Sequence, residues 1–389
     1  MIYGDRLRQA RELAGLTQRD LAVVAGVPQP RISNAERQGE PLPGAATAEI
    51  AAHTGFPVSF FESPPALQFA TEPVHFRAQA SVRAAQMKQA KRAGEIIGEQ
   101  AIRMRTTLRL PRLRLRAVGI SDPATAAAAI RQQLQLSESE PVASLPLLLE
   151  HAGLLVLGLP LPAFKRDAFS IWVDDLPLLA LLNTEAGDRQ AWSTAHELGH
   201  LVMHRGAAQH RDLEAQADEF AMHFLLPLHA IAKELPELPT LQHFALLKRR
   251  WGVSIQALVR TARRLDAIDQ DRYTSLFRQI SARGERLRER AAIAPVKPRG
   301  FRKMAETLYG PAPAAGLARE AEWTASYAEL VLAQHASAQE LPLVRRLPPA
   351  SNVTSLQGRR RDRLTVLSGK NQEPTTEQQS DSVRETGST

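Results

Sequence analysis

The chain is 389 residues long, and at roughly 150 residues per domain that predicts two or three domains rather than one small fold. Apolar residues make up 44% and charged residues 23%, ordinary globular usage that excludes collagen-like, wholly disordered and membrane-embedded classes. The net charge of +8 raises an anionic partner without saying where the charge sits. With no cysteine, disulfides, thiolate nucleophiles, Fe–S clusters and Cys-type zinc sites are excluded, so any metal must be held by His and carboxylates. No apolar run approaches the ~20 residues of a membrane span, and the opening MetIleTyrGlyAspArgLeuArg lacks the basic-then-apolar order of a signal peptide. No membrane partner and a cytoplasmic location are therefore expected.

From Asp5 to about Phe61 short helical patterns follow one another. Leu7, Leu13 and Leu16 form an apolar stripe, and Thr17-x-x-Asp20 reads as a capping box opening a second helix. Gly26 and Val27 end it. Pro28 and Pro30 suit the first turn of a third helix, where amides lack partners in any case. Gly39 and Pro41 to Pro43 close that helix, and a fourth runs from about Ala45 to Thr54. Residues 1–65 read as a compact all-α domain.

Residues 74–119 differ in kind. Between 74 and 116 eleven Lys and Arg face only Glu95 and Glu99, a net +9, so the rest of the chain sums to −1. The Ala-, Gln- and Arg-rich stretch from Ser81 to Leu110 has strong helix propensity and stops before Pro111, predicting one long, exposed helix as a basic connector. Ser121-Asp122-Pro123 offers a cap and an N1 proline for a helix to about Leu136.

Strands follow at 153–158, 169–173 and 178–182, the last two flanking AspAspLeuPro as a hairpin. Helices are expected around the central motif, at 214–226, 241–251 and 254–265. Together they predict an α+β domain over 120–295. A helical extension is read at 296–340. From 341 to 389 the Pro, Ser, Thr, Gln and Arg content predicts a disordered tail.

His196-Glu197-Leu198-Gly199-His200 carries the chemistry. On a helix the two histidines stand one turn apart on one face, close enough to share one Zn²⁺, while Glu197 beside them can take a proton from water activated by the metal. The apolar neighbours Trp192, Ala195, Leu198, Leu201 and Val202 argue for a mostly buried helix, where two unpartnered histidines would be costly. A catalytic zinc wants a third protein ligand. Glu214 and Asp218, four apart on the following helix, are the alternatives, with Phe220 and Phe224 inward. His204 continues the histidine row and could orient a ligand, assist the reaction or hydrogen-bond in the core.

These residues resemble a known family. TrpSerThrAlaHisGluLeuGlyHisLeuValMetHis, then GluAlaGlnAlaAspGluPheAla and Leu225 to Pro227, is similar to the ImmA/IrrE zinc metallopeptidases. So are Phe169-Ser170-x-Trp172, the strand ending at Asn183, and Leu247 to Leu258. Over 75–295 the resemblance implies Zn²⁺ on His196, His200 and Glu214 and Glu197 as general base; His204 is a further catalytic candidate by its place in the histidine row. It also implies a peptide substrate laid along an edge strand, either Leu178 to Leu182 or Phe169 to Val173. The family often has Asn where this chain has Asp218.

The first sixty residues resemble the XRE-type helix-turn-helix, whose third helix enters the major groove. By position the implied DNA contacts are Gln18, Arg19, Gln29, Arg31, Asn34 and Arg37. Pro28-Gln29-Pro30 stands where that family has Ser-x-Ser, which removes hydroxyl contacts to phosphate. Residues 1–65 hold six Arg against seven acids, so this module alone is expected to bind DNA weakly and salt-sensitively, with a homodimer or the basic helix making up the deficit. The fold class expected is thus an N-terminal all-α helix-turn-helix domain followed by a zincin-like α+β domain with a small sheet. The resemblance implies a DNA-associated endopeptidase that cleaves a transcriptional repressor in a stress or mobile-element response. The alternative is a transcriptional regulator whose zincin-like domain senses a ligand or is structural.

Overall fold

The computed structural model describes residues 2–69, 81–110, 113, 115–118, 122–163, 167–205, 212–286 and 288–337. The tail expected from 341, and residues 74–80 of the connector, lie outside the described residues.

Four helices open the chain: α1 (Gly4–Leu13), α2 (Gln18–Val24), α3 (Gln29–Gln38) and α4 (Gly44–Thr54), closed by a 3₁₀ turn Val58–Glu62. The expected capping box is formed, with Asp20 N donating to Thr17 Oγ1 at 3.2 Å and Thr17 N to Asp20 Oδ2 at 2.9 Å, satisfying amides the helix leaves open. α3 ends on Gly39 at φ 69°, a left-handed cap that favours glycine. Leu7, Ala10, Leu21, Ile32, Ala35 and Ile50 meet in its interior.

The basic segment forms α5 (Ser81–Thr107), but it is not an exposed rod. Ala90, Ala93, Ile96, Ile97, Ala101 and Met104 are all buried, a stripe at the helical spacing that the arginine count obscures. Gly94 and Gly98 let the helix sit close: a Cβ on Gly94 would lie 2.9 Å from Phe169, and one on Gly98 3.0 Å from Leu178 and Leu67. The two acids of the segment turn inward as well. Arg6 donates to Glu99 at 2.8 Å, Gln9 to Glu95 at 3.1 Å, and Arg92 bridges Glu95 to Glu12 at 2.7 Å.

Next come α6 (Pro123–Gln133), capped by Asp122, and α7 (Leu145–His151). The sheet has three strands, β1 (Leu155–Pro162), β2 (Ala168–Val173) and β3 (Leu176–Asn183), in the order β1-β3-β2. β2 and β3 form the expected hairpin around Asp174, which takes φ 52°, while β1 lies parallel to β3. β3 is therefore central. Of the two strands considered as a substrate edge, Leu178 to Leu182 is paired on both sides and cannot accept another strand; β2 is the one at the edge.

Side chains alternate across the sheet as the pleat requires. Leu155, Leu157, Phe169, Leu178 and Ala180 face α5, in the same core as the N-terminal helices. Val156, Ala168, Leu179 and Leu181 face the second core, built with α8 (Gly187–Met203), α9 (Asp212–Leu225), α10 (Leu228–Glu234), α11 (Leu241–Trp251), α12 (Ile255–Arg264) and α13 (Gln270–Ala282). The chain then returns to the first core through α14 (Gly300–Tyr309), α15 (Ala314–Ala321) and α16 (Ala325–Ala333), where Phe301, Leu317, Trp323 and Val331 are buried. Thr324 Oγ1 donates to Gly55 O at 2.9 Å, tying α16 to the end of α4. No described helix is long and apolar enough to cross a membrane.

Candidate metal centre and nucleic-acid interface

α8 carries His196, Glu197 and His200, and α9 crosses it closely. Gly199 permits the crossing: a Cβ there would lie 3.0 Å from the ring of Phe220. Phe220 and Phe224, both fully buried and stacked at 5.6 Å, anchor α9 in the core. That register brings Glu214 and Asp218 over the histidines.

The rings of His196 and His200 converge, their Nε2 atoms 3.1 Å apart. Glu214 meets both, Oε2 lying 3.8 Å from His196 Nε2 and Oε1 3.3 Å from His200 Nε2. Ligand atoms of His196, His200 and Glu214 all lie within 4.8 Å of one another. Asp218 stands on the other side of the first ring, its Oδ1 accepting from His196 Nδ1 at 2.8 Å. With the proton on Nδ1, Nε2 offers its lone pair to the cluster. Burial alone would lower the His196 pKa, but the Asp218 hydrogen bond and the charges of Glu197, Asp218 and Glu214 raise it. The surroundings thus favour positive charge, and two imidazoles with one carboxylate are a donor set that suits a divalent transition metal.

His204 places Nδ1 3.0 Å from His200 Nδ1 and Nε2 2.9 Å from Gln216 Oε1. Glu197 is buried, and Ser170 of β2 donates to its Oε2 at 2.7 Å. Trp172, two residues along the same face of β2, donates to Leu201 O at 3.2 Å and lies under Arg205, whose guanidinium is 4.1 Å from the ring centroid. Ser170 and Trp172 belong to a stretch that carries the family resemblance, and period-two alternation places them on one face. Gln216 lies in another such stretch, but no spacing in the sequence pairs it with His204 or Ser170 with Glu197.

In the N-terminal helices a polar chain runs from the start of α3 into the interior. Gln29 donates to Gln18 at 2.9 Å, Gln18 to Glu36 Oε2 at 2.8 Å, and buried Glu36 is held by Arg11 at 3.0 Å. Arg31 donates to Pro41 O and Asn34 to Glu40. Arg19, Gln29, Arg31 and Arg37 are exposed, whereas Gln18 and Asn34 are half-buried. The six candidates therefore span α2 and α3, with two of the side chains already engaged by acids.

Two family models match the chain: a helix-turn-helix domain over residues 2–59, and, from a peptidase family, an IrrE N-terminal-like domain over residues 149–263. A search of curated proteins finds no match. α5, within the basic segment 74–116, falls between the two.

Proposed function

Because the chain joins an N-terminal helix-turn-helix domain to an IrrE N-terminal-like domain of a peptidase family, we propose that it is a DNA-associated, zinc-dependent endopeptidase. Its substrate in this reading is a transcriptional repressor, whose removal switches on a stress or mobile-element response. The observation that carries the reading is the pairing of a three-ligand cluster with a held carboxylate: His196, His200 and Glu214 within 4.8 Å, and Glu197 fixed by Ser170.

His196, His200 and Glu214 would hold the metal, with Asp218 orienting His196 and His204 orienting His200. Zn²⁺ bound there supplies Lewis-acid polarisation of a peptide carbonyl and a more acidic water. Glu197 takes the proton of the attacking water and passes it to the departing amine. Ser170 holds that carboxylate in one rotamer through its Oγ–H donor. The substrate chain adds to the edge of β2, which among the described strands pairs only with β3.

The test compares wild-type protein with Glu197→Gln in a cell extract, read by mass spectrometry for lost proteins and new termini, with metal analysis of both preparations. One zinc in each, and loss of a DNA-binding protein only with the wild type, is the expected result. Cleavage that survives Glu197→Gln, or protein that binds no zinc, overturns the reading.

A further inference from the structure

We propose that α5 is a phosphate-binding strip, and that Lys88 and Lys91 carry the backbone of duplex DNA past the helix-turn-helix domain. The proposal rests on the reading that α2 and α3 meet DNA.

A cleft of about 510 Å³ opens where α1, α2 and α3 face α5. Gln18 and Arg37, both candidate DNA contacts, line one side, and Lys88 and Lys91 line the other. Its two acids are already engaged: Glu36 is paired with Arg11, and Glu12 with Arg92 at 2.7 Å. Arg8 donates to Glu36 O at 3.2 Å and lies 3.7 Å from the Asp5 carboxylate, so it is engaged as well. Lys88 and Arg37 are exposed and have no hydrogen-bonding or ion-pair partner among the described residues. The cleft thus presents Lys88 from one side and Arg37 from the other as cations that no described residue pairs.

Placement on α5 matters for energy. A helix-turn-helix draws much of its affinity from phosphate neutralisation, yet residues 1–65 carry one more acid than base. α5 buries its own acids, Glu95 and Glu99, against α1, where Gln9, Arg6 and α5's own Arg92 and Arg103 pair with them, so neither acid faces outward. It is also held in register with the reader, since Gln89 donates to Leu13 O at 3.2 Å. A rigid basic strip beside the reading helices adds backbone contacts without ordering a flexible arm.

The experiment titrates a mixed-sequence DNA duplex with full-length protein over a range of salt and compares slopes of log K against log[salt]. Lys88→Gln/Lys91→Gln is expected to make the slope shallower by roughly 0.9 per lysine and to weaken all sequences equally. Lys88→Arg/Lys91→Arg keeps the wild-type slope. Lys233→Gln/Arg278→Gln, which removes the same charge from α10 and α13, leaves it unchanged. Wild-type binding with the same slope in Lys88→Gln/Lys91→Gln overturns the proposal while leaving the DNA reading intact; a cleft that serves a small anion would give that outcome. Wild-type protein that binds no duplex at low salt overturns both.

Discussion

Asp218 and His196 meet at 2.8 Å, carboxylate oxygen to Nδ1, on the side of the ring away from Glu214. This separates two acids that sequence spacing leaves equivalent: one faces the Nε2 atoms, the other fixes a tautomer. Asp218→Ala should weaken zinc binding about 10- to 100-fold, the usual cost of losing the partner that orients a metal-ligating histidine. Glu214→Ala should weaken it more. Asp218→Asn should stay close to wild type, because the amide oxygen still accepts from Nδ1. Chelator competition measures all three, and equal affinity of Asp218→Ala and wild type would refute the assignment.

Ser170 reaches the same site from the sheet. Its hydroxyl donates to Glu197 Oε2 at 2.7 Å, a hydrogen bond to a carboxylate of the kind worth about 1.5–3 kcal/mol. Ser170→Ala should lower turnover of a peptide substrate by roughly 10- to 100-fold while zinc content holds. Ser170→Thr should restore most of it, since the hydroxyl is kept. A matching loss of zinc in Ser170→Ala would make the residue structural instead.

Local signals in the sequence carried the helix-turn-helix and the histidine motif well. The Thr17/Asp20 capping box, the Gly39 cap and the pairing of His196 with His200 one turn apart are all short-range, and all are present. The failure at α5 is of a different kind. Its helical state is legible, but its charge points to exposure, and a helix can bury a stripe of Ala, Ile and Gly under arginines that point elsewhere. Glu95 and Glu99 are buried because Gln9 and Arg6, some ninety residues away in sequence, complete their hydrogen bonds. No window of local sequence contains that information. The sheet order hides β2 as the edge for the same reason.

His335 gives the fold a pH dependence. It is fully buried, donates from Nδ1 to Val331 O at 2.9 Å, accepts from Gly158 N at 3.0 Å on Nε2, and stacks on Phe301. Burial pushes its pKa down to about 4, and the nearby charges of Arg302 and Lys297 act in the same direction. A base with a depressed folded pKa contributes fully above its unfolded value of about 6.5, and that contribution is lost as pH falls towards 4. The loss should be of order 3 kcal/mol. His335→Leu should flatten this part of the stability profile in urea unfolding between about pH 7 and about pH 4. A variant with the same pH slope as wild type would show that the drop comes from other groups.

Lys248 tests how the second core tolerates charge. Its side chain is 2% exposed, and its ammonium sits 2.7 Å from Asp188 and 3.0 Å from Glu289. Glu289 in turn accepts from the amides of Ile255 and Gln256 at the start of α12, so the lysine links the first turn of α8 to α12. Lys248→Met removes the only cation between two buried carboxylates among the described residues, which by analogy with broken buried pairs should cost about 3–5 kcal/mol. Adding Asp188→Asn should recover part of that loss, because one uncompensated charge is then gone. Chemical denaturation of the single and double variants measures the coupling. If Lys248→Met costs less than about 1 kcal/mol, the triad is hydrated in solution and the buried-pair account fails.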